Sequence, residues 1–255
     1  MRALLAAAVL LAPSSAWAYE CTVVEDDPTI PVTWPQRTVA YAVTESLGLS
    51  FSDVQAAFGA WEDVPCSDVA FSFEGVVERD AARQVLVDSV TEGWEDTASD
   101  AVALTTLQYE LSNGRIRTAR IELNFDDFIL GDTTNEVCDG QGRLHDHRSV
   151  LTHEVGHLLG LSHTTNYSGS PTDPTMAPRV DPCDASKRDL APDDVEAICA
   201  LYPVGARGAC HGLAVRADDV AEAGGCTTTG VRPDFAVLAL LLLGLKTCRK
   251  PRSGG

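Results

Sequence analysis

The sequence predicts an α/β protein, folded as one domain over about residues 19–204. Two observations carry this. A strand-forming stretch is followed by a helix-periodic one, and several further strands then precede two more helical stretches. The chain has 255 residues, which at roughly 150 per domain makes one large domain or two small ones. A domain of that size can bury a substantial core.

Thr38–Thr44 alternates β-formers and reads as a strand. Ser52 is the expected cap of a helix in which Val54, Ala57, Phe58 and Trp61 fall at i, i+3, i+4 and i+7, a single apolar stripe read as core. Val69–Phe73 and Val85–Val87 are short strands. Ala101–Leu111 and Arg115–Phe125 flank Ser112-Asn113-Gly114, and Asn-Gly is a strong hairpin signal. The stretch Asp126–Asp146, rich in Gly, Asp and Asn, reads as loop. A helix is expected from about Ser149 to Leu159, ended by Gly160 in a left-handed conformation. Another starts near Pro192, with Asp193 and Asp194 favourable to its dipole, and stops at Pro203. Residues 205–225 read as a tether. Trp61 and Trp94 are assigned to the core, not to a substrate platform.

The two ends read as addresses. Arg2, the apolar run Ala3–Ala12 and the small-x-small site Ala16-Trp17-Ala18 make residues 1–18 a secretory signal peptide. At the other end, residues 226–255 form a sorting or anchor segment. Gly225-Cys226 leads through a polar spacer, Thr227–Gly230, to the apolar run Phe235–Leu245 and then to Lys246, Arg249, Lys250 and Arg252. The apolar run makes about 16 Å of helix, short of the roughly 30 Å of a bilayer core. Its order is similar to the MYXO-CTERM type of bacterial surface-sorting tag. That resemblance implies export to the cell surface and contact with sorting or processing machinery.

Nineteen basic against 37 acidic residues give a net charge of −18. Such a chain repels phosphate backbones, so nucleic-acid binding is excluded as a working hypothesis. Some carboxylates are candidates for calcium, but no segment has EF-hand spacing. No GxGxxG, Walker A or GxSxG run occurs.

Chemistry concentrates in residues 153–163, His-Glu-Val-Gly-His-Leu-Leu-Gly-Leu-Ser-His. On a helix, His153 and His157 stand at i and i+4 and project from one face, able to share a metal. Gly160 breaks the helix so that His163 can supply a third nitrogen. Three protein ligands leave a fourth tetrahedral position open, the arrangement of a catalytic zinc. Glu154 lies beside the metal position and is the candidate general base. A bare HExxH can arise by chance. Here the spaced glycine, the third histidine and Met176 in Pro174-Thr175-Met176-Ala177-Pro178 complete the pattern HExxHxxGxxH with a downstream methionine turn.

With these residues the chain resembles the matrixin-like branch of the metzincin metalloproteases. His153, Glu154, His157, Gly160, His163 and Met176 match the family motif one by one. Pro178, two after the methionine, and the ending Leu-Gly-Leu-Ser-His favour matrixins over astacins and serralysins. Leu190–Tyr202 is similar to the family's C-terminal helix, and Ala119–Phe125 to the strand before its active-site loops. The resemblance spans about residues 30–203. It implies a zincin fold, a twisted mixed sheet with an active-site helix and a C-terminal helix. It also implies one catalytic zinc, a methionine floor under the histidines, and a zinc endopeptidase acting on protein or peptide substrates. The peptide is expected to add to a sheet edge, with one side chain entering a pocket near Ala177–Val180. A monomer is expected. The alternative is a non-catalytic surface zinc-binding or adhesion protein on the same scaffold.

Two family features are missing: a cysteine-switch sequence and the histidine–aspartate run of a second, structural zinc. His145-Asp146-His147 is a fragment of the latter, read chiefly as solvated loop or helix entry. His211 is given no role. Of eight cysteines, Cys226 and Cys248 belong to the tail, leaving Cys21, Cys66, Cys138, Cys183, Cys199 and Cys210. Export favours disulfides among them. Cys199 with Cys210 is the expected pair, with the other four open.

Overall fold

A computed structural model describes residues 19–94, 101–134, 144–165, 167–210, 213–216 and 226–231. The signal segment 1–18, Cys138, His211, Cys248, the apolar run Phe235–Leu245 and its basic end lie outside the described residues. None of the described helices is long and apolar enough to cross a membrane.

The strands are β1 (Glu20–Val24), β2 (Asp27–Pro31), β3 (Thr38–Thr44), β4 (Ala70–Val77), β5 (Val85–Val90), β6 (Ala103–Glu110), β7 (Ile116–Asn124), β8 (Ile129–Gly131), β9 (Leu144–Asp146), β10 (Leu213–Arg216) and β11 (Cys226–Val231). The helices are α1 (Phe51–Glu62), α2 (His147–Leu158) and α3 (Pro192–Leu201). The main sheet has the order β11-β6-β7-β5-β3-β4. Neighbours β7, β5, β3 and β4 run parallel, and β6 turns back antiparallel to β7 across the Asn113-Gly114 hairpin. This mixed sheet with its packed helices is the α/β zincin architecture the sequence predicts.

The apolar stripe of α1 explains how the helix layer is held. Val54, Ala57, Phe58 and Trp61 are all buried, and Phe58 stacks on Tyr41 of β3 with ring centroids 4.0 Å apart. Helix α1 packs on both β4 and α2, while α2 lies on β6 and β7. Trp61 reaches further and donates its indole N–H to Thr152 O of α2 at 2.8 Å. Trp94 is only half-buried, on the chain beyond β5.

Four expectations need correction. The cap of α1 is Ser50, whose Oγ accepts from Asp53 N at 3.2 Å. A capping oxygen must reach the N–H three residues on, and from Ser52 that would start the helix two residues too late. The stretch Asp126–Asp146 holds β8 and β9, a short parallel pair; at three residues each they are below the length at which alternation is visible. Within the tether, Leu213–Arg216 forms β10 parallel to β1, and the spacer Thr227–Gly230 lies in β11, parallel to β6. Finally, Cys199 pairs with Cys66 and Cys210 with Cys21. Residues 209 and 210 run back past α3, where Ala209 N donates to Ala200 O at 2.9 Å, which carries Cys210 to β1. Cys199 meets the turn after α1, a turn held by Asp68 N bonding Tyr202 O at 3.0 Å. Cys183 is also disulfide-bonded.

Candidate metal centre and active site

Helix α2 begins two residues earlier than its periodicity suggests. Asp146 is its N-cap: Oδ1 accepts from Ser149 N at 2.8 Å. The same carboxylate takes Thr133 Oγ1 at 2.9 Å and a two-point ion pair from Arg188. Burial alone would raise this carboxyl. Arg188, the Ser149 amide and Thr133 together outweigh burial and hold it below the usual aspartate value. The flanking histidines are not solvated. His145 and His147 are 6% and 4% exposed, His147 Nε2 lies 3.0 Å from Asp53 Oδ2, and His145 packs edge-on against Phe128.

At its far end α2 stops at Leu158, and Gly160 takes φ +89°. A Cβ there would lie 2.0 Å from Val32 O, so this turn needs glycine for both its conformation and its close approach. The helix-end carbonyls are satisfied by aromatic donors. Trp34 Nε1 bonds Leu158 O at 2.9 Å and Tyr202 Oη bonds Leu159 O at 2.9 Å. The chain then returns beneath the helix to deliver His163.

The three histidines converge. Nε2 of His157 lies 3.0 Å from that of His153 and 3.1 Å from that of His163, and the third edge is 3.2 Å. His153 Nδ1 faces Thr175 O at 2.6 Å, and His157 Nδ1 faces Leu161 O at 2.8 Å. Carbonyls only accept, so both Nδ1 atoms carry the proton and both Nε2 atoms present lone pairs. Burial opposes further protonation: His157 is pushed down to about 4, and His153 and His163 well below their usual value. Imidazole lone pairs this close repel one another unless a cation lies between them. An all-imidazole donor set of this kind fits zinc. Among the described residues, no other group of three or more His, Cys, Asp or Glu side chains converges in this way.

Glu154 is 4% exposed, and burial pushes its carboxyl up to about 8 against the bond from Thr105. That bond runs from Thr105 Oγ1 on β6 to Oε2 at 2.6 Å. Met176 is buried against α2. Its turn is fixed from several sides. Asp194 accepts from Met176 N at 3.0 Å and Thr175 N at 2.8 Å, and Thr164 N donates to Met176 O at 2.9 Å. Beside His153 and Glu154 opens a cleft of about 450 Å³, lined also by Ala101–Ala103 and by Ala177–Val180.

Sequence reasoning missed three contributors. Thr105 is one threonine in an alternating strand. Asp194 reads as a first-turn helix acid, with nothing to reveal that it clamps the methionine turn. Lys187, buried at 5% exposure on the same cleft, reads as a surface cation.

The fold and the histidine-bearing helix define a zincin. A profile of the Matrixin family matches residues 33–203, and the chain belongs to the matrixin family. It is also 30% identical over 179 residues to Metalloendoproteinase 1-MMP of Arabidopsis thaliana, covering 66% of this chain and 44% of that protein. The chain thus spans less than half the length of this curated relative.

Proposed function

We propose that the protein is a zinc-dependent endopeptidase, with His153, His157 and His163 as metal ligands and Glu154 as general base. The single observation that carries this is the triangle of three Nε2 atoms, 3.0–3.2 Å on an edge, with a carboxylate on the adjoining residue. Bound zinc would polarise the scissile carbonyl and acidify water, its positive charge also favouring the ionised form of Glu154.

The chain's own groups do the rest. Thr105 holds Glu154 Oε2, leaving Oε1 to take a proton from water and pass it to the departing amine. Thr175 O and Leu161 O fix the ring orientation of two ligands. Met176 supplies an apolar floor. Strand β11 covers β6 from Thr105 to Glu110 and stops short of Ala101–Ala103, where the cleft offers an extended peptide a sheet edge. Export and surface attachment belong to the same proposal, supported by the 1–18 leader pattern and by the Cys226, apolar and basic sequence of the tail.

Incubating the purified chain with a diverse peptide pool tests the reading, beside Glu154→Ala and a chelated sample. Cleavage lost in both controls and restored by zinc is the expected result. Zinc binding without cleavage of any peptide would favour a non-catalytic zinc-binding role.

A further inference from the structure

The cleft differs in charge from the molecule around it. The chain carries −18 overall, yet the basic side chains lining the cleft beyond His153 are His145, Arg179 and Lys187, with Glu154 the one carboxylate among the described lining residues. Lys187 is the unusual member. It sits on the short 3-10 turn Ser186–Arg188, next to the arginine that clamps the N-cap of α2. The two neighbouring cations point to different tasks. Arg188 has its two carboxylates, Asp146 and Asp132. Lys187 is 5% exposed and donates to Ala177 O on the cleft wall. Among the described residues no carboxylate lies within ion-pair distance of its ammonium.

An ammonium has three N–H donors, and among the described residues this one donates to a single carbonyl. A buried cation with no carboxylate in contact is costly, and a ligand that brings one into the cleft would offset that cost. Asp194, Asp184, Asp173 and Glu154 favour its charged form from beyond ion-pair distance, against burial that draws it down to about 8. Asp194 is not available for closer pairing, because its oxygens are occupied by the amides of Thr175, Met176 and Ala191. Arg179, exposed at the rim and 4.0 Å from Asp181, adds a second positive group at the entrance.

We propose that this cleft selects an acidic side chain next to the scissile bond, with Lys187 as its charge partner inside and Arg179 at the mouth. The inference rests on the endopeptidase reading and names its substrate class. Long-range attraction plays no part, since the net negative charge repels acidic peptides and is screened beyond about 8 Å at physiological salt. The preference arises inside the cleft, where Lys187 is buried and a carboxylate in contact gains most from its ammonium.

The test uses the full chain loaded with zinc and a peptide set differing only at the residues flanking the cut, carrying Glu, Gln, Leu, Phe or Lys. Cut sites and kcat/KM are read for the wild type, Lys187→Met, Lys187→Arg and Arg179→Gln. Expected is a Glu over Leu ratio of about tenfold or more at one flanking position, the scale of a charged hydrogen bond. Lys187→Met inverts that ratio, Lys187→Arg keeps Glu preferred, and Arg179→Gln lowers the ratio by less than Lys187→Met does. Efficient cleavage with an apolar or basic preference at both flanking positions overturns the inference and leaves the endopeptidase reading standing. So does a Glu over Leu ratio unmoved by Lys187→Met. Failure of the wild type to cut any peptide removes both. The wild-type ratio decides the matter even if Lys187→Met does not fold.

Discussion

Met176 occupies the space that a side chain on Gly156 would need: a Cβ built at residue 156 would stand 2.2 Å from Met176 Sδ and 2.8 Å from Trp61 Cζ2. The methionine turn and the active-site helix therefore interlock through an absent side chain, directly between His153 and His157.

Gly156→Ala separates two effects of opposite sign. In a free helix interior, alanine is favoured over glycine by about 1 kcal/mol. Overpacking of this kind costs about 1–3 kcal/mol, and Trp61 cannot yield easily because its indole is tied to Thr152 O. Net destabilisation is expected, seen as a fall in thermal midpoint. A midpoint that rises would show that Met176 moves aside freely.

Thr105→Val keeps the shape of the side chain and removes the bond to Glu154 Oε2. With Glu154 as the base, kcat is expected to drop about 10- to 100-fold with little change in KM, the scale of one hydrogen bond to a charged group. Steady-state kinetics on a single good peptide measures it. An unchanged kcat would mean that Glu154 needs no such support.

Tyr202→Phe deletes a hydroxyl that accepts from Trp34 N at 3.1 Å and donates to Leu159 O at 2.9 Å. Two buried backbone groups then lose their partner, at about 1–3 kcal/mol each. A lowered thermal midpoint is expected, together with faster amide exchange at the end of α2. Wild-type exchange at residues 158–161 would refute the second part.

Acid should weaken the entry to α2. The Asp146 carboxyl is depressed in the fold, so its contribution is complete above the unfolded value of roughly 3.9 and is lost as pH falls through the lower folded value. Asp146→Asn is expected to be less stable than wild type at pH 7 and to lose less on acidification below about pH 4. Calorimetric midpoints across that range check it; parallel curves for the two proteins would count against the assignment.

Local regularities were readable in the sequence because they repeat. The i, i+3, i+4, i+7 stripe of α1 is buried, Asn113-Gly114 turns the β6–β7 hairpin, and the glycine and third histidine are spaced as a helix end and a returning chain require. What stayed hidden involves single residues brought together by tertiary structure. Nothing in the spacing of Cys199 and Cys210 says that the chain between them leads to β1 instead of closing on itself. Thr105, Asp194 and Lys187 are ordinary residues for their elements, and only the packing of β6 and the 3-10 turn on α2, and of α3 on the methionine turn, gives them tasks. β8 and β9 are too short to show a period at all.

The link between Cys21 and Cys210 joins positions 189 residues apart, and Cys66–Cys199 is nested inside it. Between them these bonds turn nearly the whole domain into a covalent ring. One cut in any exposed loop of that ring opens it without releasing a fragment, since both new ends remain attached through sulfur. This is damage tolerance. A nicked molecule can keep its three histidines in register, where an unlinked one could come apart.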